Sequence, residues 1–161
     1  MDYEVVYLEE KKVAGLSART NNQAPDMGTV IGGLWENFYT SAYDKIRQKT
    51  NDKSLGIYTD YAGSEKDDYT ILVGCEVESF PDYSITKTEN QEEEKPLTFL
   101  TIPAGKYAKF IVHGDVHLAV AKFWVQLWKM DLPRSFTCDF EEYQNSSMEG
   151  AEIHIYISLT K

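Results

Sequence analysis

Glu141 is the side chain in this sequence best placed to do chemistry. It lies in Cys138-Asp-Phe-Glu-Glu-Tyr143, which reads as a β-strand whose period of two puts Asp139, Glu141 and Tyr143 on one face and Phe140 and Glu142 on the other. Downstream, Ile153, Ile155, Ile157 and Leu159 alternate with Glu152, His154, Tyr156 and Ser158, a second strand over Ala151–Leu159. The polar, glycine-closed stretch from Gln144 to Gly150 predicts that the two form an antiparallel hairpin. On that hairpin Tyr156 is expected to meet Glu141 or Tyr143. The ordinary state of a strand carboxylate is solvated. A carboxylate enclosed by aromatic rings is costly to bury alone, and a cationic ligand offsets that cost by charge pairing and by contact with the ring faces.

Other chemistry has little support. His113, Asp115 and His117 straddle a strand end and a helix start with no fourth ligand, so capping and surface roles are expected rather than a metal. Gly28, Gly32 and Gly33 do not follow a strand in the dinucleotide pattern, and neither a Gly-x-Ser-x-Gly elbow nor a phosphate loop occurs. No cofactor is implied. Cys75 and Cys138 sit in strand-like contexts and read as reduced core thiols of a cytoplasmic protein.

The elements that must position Glu141 come in a repeating order. Tyr3–Leu8 and Val13–Arg19 read as strands, the second either separate or a continuation past a bulge. A helix is predicted from about Met27 to Gln48, with Val30, Ile31, Leu34, Trp35, Phe38 and Ala42 as its apolar stripe. Strands at Lys53–Tyr61 and Tyr69–Val77 follow, then a polar, acidic connection ending at Pro96. The order then recurs: Leu97–Ile102 and Lys106–His113 as strands, a helix from Val116 to about Met130 capped by Asp115, and the closing hairpin. Leu34-Trp35-x-x-Phe38 matches Phe123-Trp124-x-x-Leu127-Trp128, and Ile57-Tyr58 takes the place of Phe140-Glu141.

We therefore expect an α+β fold of two β-α-β-β repeats in one domain, residues 1–161. The repeats run over about 1–80 and 97–161, joined by a linker over about 81–96. They should form one antiparallel sheet with two helices on one face and a pocket between the halves. Glu141, Tyr143, Tyr156, Tyr58, Trp35, Trp124 and Trp128 are the expected lining, with Tyr107 a lesser candidate. No other acid looks buried.

The net charge of −10, from 26 acidic and 16 basic residues, argues against a nucleic-acid face. It is compatible with cationic ligands or with simple solubility, and a third reading sets the acidic surface against a basic protein partner. No run is long and apolar enough to span a membrane as a helix, and the first residues lack the pattern of a signal peptide. The 11 tyrosines, 7 phenylalanines and 3 tryptophans are a high aromatic content for this size; a core can absorb much of it, but the tyrosine hydroxyls need partners.

Ile102-Pro-Ala-Gly-Lys-Tyr-Ala108, the helix with Trp124 and Trp128, Leu132-Pro133, Phe140-Glu141-x-Tyr143 and the terminal Glu-Ile-x-Ile-Tyr-Ile strand together resemble the GyrI-like effector-binding fold. That fold is the ligand-sensing half of AraC- and MerR-type multidrug regulators. Val13-Ala-Gly-Leu-Ser-Ala-Arg-Thr20, Ile31-Gly-Gly-Leu-Trp35 and Leu55-Gly-Ile-Tyr-Thr-Asp-Tyr61 look closest to the stand-alone, integron-associated branch. The resemblance implies a pocket for small lipophilic cations with Glu141 at its base and Tyr156 beside it. It also implies two alternatives: a hydrolase of cyclopropane-containing electrophiles using Glu141 and Tyr156, or an acidic inhibitor of gyrase. The chain departs from the regulators in having no spare residues for a helix-turn-helix.

Overall fold

A computed structural model describes residues 1–46, 48–64, 66–80 and 97–160; the expected linker lies outside the described residues. Eight strands form one antiparallel sheet: β1 (Glu4–Leu8), β2 (Lys11–Thr20), β3 (Ser54–Thr59), β4 (Tyr69–Val77), β5 (Thr98–Ile102), β6 (Gly105–Gly114), β7 (Cys138–Tyr143) and β8 (Ala151–Ser158). Their order across the sheet is β1-β6-β8-β7-β3-β4-β2-β5. Each half contributes a three-stranded block, β2-β4-β3 or β6-β8-β7, and the blocks meet where β3 pairs β7. This is the expected doubled β-α-β-β order, with one difference. β1 leaves its own half to pair β6, and β5 leaves its own to pair β2. Only Glu9 and Glu10 separate β1 from β2, and only Pro103 and Ala104 separate β5 from β6, so the sheet must curl until its two ends approach.

Both faces of the curled sheet are therefore buried. On the outer face α1 (Met27–Asn37) packs Leu34, with Phe38 beyond it, against Ile71, Val73 and Cys75 of β4. The second helix, α2 (Val116–Trp128), packs Phe123 and Leu127 against Phe110, Ile153, Ile155 and Ile157. Inside the curl, Leu55, Ile57, Leu72, Tyr107, Phe140 and Tyr156 form a separate core. Full burial of each such aliphatic side chain is worth about 1.5–3 kcal/mol.

The helices differ in how they begin and end. Asp115 caps α2 by accepting the N–H groups of His117 and Leu118 at 3.0 Å, the capping role expected for it. Asp26 makes no such side-chain bond to α1. Beyond Asn37 the first helix widens into a π turn over Phe38–Ala42 and ends in a short 3₁₀ turn at Lys45, three residues before the expected stop at Gln48. Thr40 and Ser41 hydroxyls donate back to the carbonyls of Glu36 and Asn37 at 2.8 Å, which loosens the regular ladder there. Gln48 then takes a φ of 60°, incompatible with continuing a right-handed helix.

Candidate functional site

The site forms where the two halves join. Tyr58 and Gly56 on β3 and Asp139, Glu141 and Tyr143 on β7 point to the helix-covered face, since Tyr58 pairs Asp139 and Gly56 pairs Glu141 in register. Gly56 makes room for the acid: a Cβ there would lie 3.0 Å from Glu141 Oε1 and 3.4 Å from the Trp35 ring. The helices close the site from above, α1 with Trp35 and α2 with Trp124.

Glu141 is 2% exposed. Trp124 Nε1 donates to its Oε2 at 2.7 Å and the Tyr58 hydroxyl to the same oxygen at 3.0 Å. The Tyr143 hydroxyl donates to Oε1 at 2.7 Å. Burial raises the Glu141 pKa above the usual carboxylate range; the bonds from Trp124, Tyr143 and Tyr58 oppose the shift without cancelling it. Burial and then the nearby Glu141 charge push Tyr58 and Tyr143 well above the ordinary phenol value, so both stay protonated and donate. No basic side chain pairs with Glu141 among the described residues.

Aromatic rings wall this acid. Tyr58 and Trp124 meet with centroids 5.1 Å apart, Tyr58 and Tyr69 at 5.5 Å, and Trp35 and Tyr143 edge to face at 5.1 Å. Beside them opens a cavity of about 240 Å³ between α1 and α2, lined by Met27, Tyr58, Tyr61, Tyr69, Trp124, Val125, Trp128 and Arg134 among others. Glu141 does not line it directly: Tyr58 and Trp124 stand between.

Six of the eight expected residues thus share one region. Glu141, Tyr143, Tyr58 and Trp124 are hydrogen-bonded together, Trp35 packs on Tyr143, and Trp128 borders the cavity at 41% exposure. Tyr156 and Tyr107 lie elsewhere, which corrects the expectation. Register pairs Tyr156 with Phe140, so it lies on the opposite face from Glu141, stacked on the Phe140 ring at 4.6 Å. Tyr107 shares that inner core and donates to the Pro103 carbonyl at 2.7 Å. The Glu141–Tyr156 pair needed for the hydrolytic alternative is therefore not assembled.

A second buried acid went unforeseen. Asp139, fully buried, accepts from Tyr61 at 2.6 Å, from Arg134 Nη2 at 2.8 Å, and from the Ser158 N–H and hydroxyl at 2.8 and 3.0 Å. Its place two residues from Glu141 on the same strand face was a usable signal. Arg134, Tyr61, Tyr69 and Met27 reach the site from loops and neighbouring elements, and no local pattern marks them.

The remaining candidates settle into ordinary roles. His113 and His154 both contact Glu152, at 3.2 and 2.9 Å, and burial raises the thiols of Cys75 and Cys138 to about 11 and about 12. Among the described residues no His, Cys, Asp or Glu cluster suits a metal, and no helix is long and apolar enough to cross a membrane.

Comparison with known proteins gives the family and the fold. The family model of integron-associated effector binding proteins, Cass2, matches residues 4–159. The candidate transcriptional regulator YobU of Bacillus subtilis is 30% identical over 166 residues, covering 98% of this chain and 97% of YobU. The integron cassette protein VCH_CASS2 of Vibrio cholerae superposes with a TM-score of 0.74 at 24% identity, covering 98% of this chain and 95% of that one. SAV2435, solved with tetraphenylphosphonium bound, gives a TM-score of 0.68 at 13% identity, covering 99% and 94%. The two structures share the GyrI-like fold.

Proposed function

We propose that this chain, which belongs to the integron-associated effector binding protein family, is a cytoplasmic receptor for small lipophilic cations. The ligand is held between α1 and α2 with Glu141 as its counter-charge. The observation that carries this reading is the contrast between two buried acids on one strand face. Asp139 has an internal arginine; Glu141 has only neutral donors and aromatic rings. A buried carboxylate without a cation is held at a cost, and a site beside a cavity is where a ligand can supply one. At 4 Å and an effective dielectric near 20 the attraction is about 4 kcal/mol before desolvation. The rings of Trp35, Tyr58 and Trp124 add about 0.5–2 kcal/mol for each face the cation covers. Tetraphenylphosphonium in SAV2435, a protein of the same fold, supports this ligand class.

For the ligand to reach Glu141, Trp124 must swing aside or the ligand must bind over it. Moving Trp124 exchanges its bond to Glu141 and its contacts with Tyr58 and Phe123 for contacts with the ligand. Calorimetric titration of tetraphenylphosphonium and of the neutral triphenylphosphine oxide tests the assignment. Glu141→Gln should weaken the cation by ~2–5 kcal/mol, roughly thirtyfold or more, and the neutral oxide far less. Wild-type affinity for the cation should also fall on acidification, because a protonated Glu141 carries no charge; the raised pKa starts the loss above the usual carboxylate range. Equal cation affinities in the two proteins would refute the role of Glu141.

A further inference from the structure

β1 ends the sheet and pairs β6 alone, so its outer backbone edge has no strand beside it among the described residues. Its two faces differ. Val6 and Leu8 pack against the inner core, while Tyr3, Val5 and Tyr7 alternate onto the helix-covered side, where register sets Val5 beside Ala108. α2 packs over β6 and β8 and leaves these three open: Tyr7 is 77% exposed, Val5 and Tyr3 44% each. An edge strand with unpaired backbone groups and outward apolar side chains is a template for another strand. The lysine or proline that commonly blunts such an edge is absent from Glu4–Leu8.

We propose that β1 is a two-fold interface between two copies of this chain, joined by antiparallel pairing of their β1 strands with Val5 on the axis. In such a closed contact, residue i of one copy meets j of the other and j meets i. An axis at Val5 sets Val5 against Val5 and Tyr3 against the second copy's Tyr7, twice over. The three open side chains thus gain partners on one face, while on the other Glu4 meets Val6 and Asp2 meets Leu8. Charge selects this register over its neighbours. An axis at Glu4 sets Glu4 against itself, and one at Val6 sets Asp2 against Glu10, each a like-charge pair across the strands. Glu4 also has Lys109 beside it on β6, so the edge is locally balanced although the chain carries −10. One strand pair buries less than a standard interface of about 1,200–2,000 Å², so the association is weak and reversible. No β1 residue lines the cavity between the helices, and the interface stands independently of the cation reading.

Cross-linking locates the axis. Val5→Cys should form a disulfide-linked dimer in mild oxidant, since residues opposite each other in an antiparallel pair have Cα atoms about 4.5–5.5 Å apart, within disulfide reach. Tyr7→Cys should stay largely unlinked, because Tyr7 faces Tyr3 and lies about 13 Å from the other Tyr7. Mixed with Tyr3→Cys, it should link as the heterodimer. All three side chains are exposed, so the substitutions spare the core, and the native Cys75 and Cys138 are buried. In sedimentation equilibrium the wild-type mass should rise with concentration, and Val5→Lys should hold it at the monomer value. Cross-linking no faster in Val5→Cys than in Tyr7→Cys would overturn the interface, as would a wild type that stays monomeric at millimolar concentration. Dimers that persist in Val5→Lys would overturn it too, by placing the contact elsewhere.

Discussion

Trp124→Phe isolates what the indole N–H contributes to the buried carboxylate. The substitution keeps an aromatic ring against Tyr58 and Phe123 but removes the 2.7 Å bond to Glu141 Oε2, leaving that oxygen only the longer one from Tyr58. Hydrogen bonds to charged groups are worth about 1.5–3 kcal/mol. For a protein of this size each kcal/mol moves Tm by about 2–4 °C, so the expected fall at neutral pH is roughly 3–12 °C. Its pH dependence distinguishes the bond from simple packing. Burial raises the folded pKa of Glu141, and the Trp124 bond opposes that rise. Losing the bond raises the pKa further, so the charged form alone bears most of the penalty. The gap between wild type and Trp124→Phe should be widest above the folded pKa. It should narrow as pH falls through that raised value, since the folded acid is then protonated in both proteins and the lost bond no longer serves a charge. Thermal unfolding followed by circular dichroism from about pH 8 to about pH 4.5 measures this. In a Glu141→Gln background the gap should be nearly constant and about 1 kcal/mol, a neutral hydrogen bond. A wild-type gap of the same size at both ends of the pH range would mean that ring packing, and not the donor, sets the penalty.

Two further outcomes follow from the placements. Tyr156→Phe should leave tetraphenylphosphonium affinity within about twofold of wild type, because that side chain faces the inner core, behind the sheet from Glu141; a large loss in titration would relocate the site. Arg134→Met should cost about 3–5 kcal/mol by stranding the fully buried Asp139. Adding Asp139→Leu should recover part of that loss; urea unfolding of the two variants measures the coupling, and purely additive losses would show that the pair is not a unit.

Period and repetition in the sequence determined most of the frame. The alternation in Ala151–Leu159, the Asp115 cap and the two Leu/Phe-Trp helices are local patterns enforced by hydrogen bonding and side-chain spacing, and each appears where those forces require it. The Glu141–Tyr143 face and its counterpart Tyr58 were legible for the same reason: a strand fixes the relative facing of residues two apart. What alternation cannot say is which face is which when both are buried. Here helices cover one face and the curl of the sheet covers the other, so Ile153, Ile155 and Ile157 share Glu141's face while Tyr156 turns inward with Phe140. The exchange of β1 and β5 between halves, which produces that curl, depends on long-range pairing with no local signature. The Arg134–Asp139 pair is likewise a tertiary outcome. The loop after α2 brings the arginine to Asp139, and the neutralisation of one acid but not its neighbour depends on where that loop returns to the sheet.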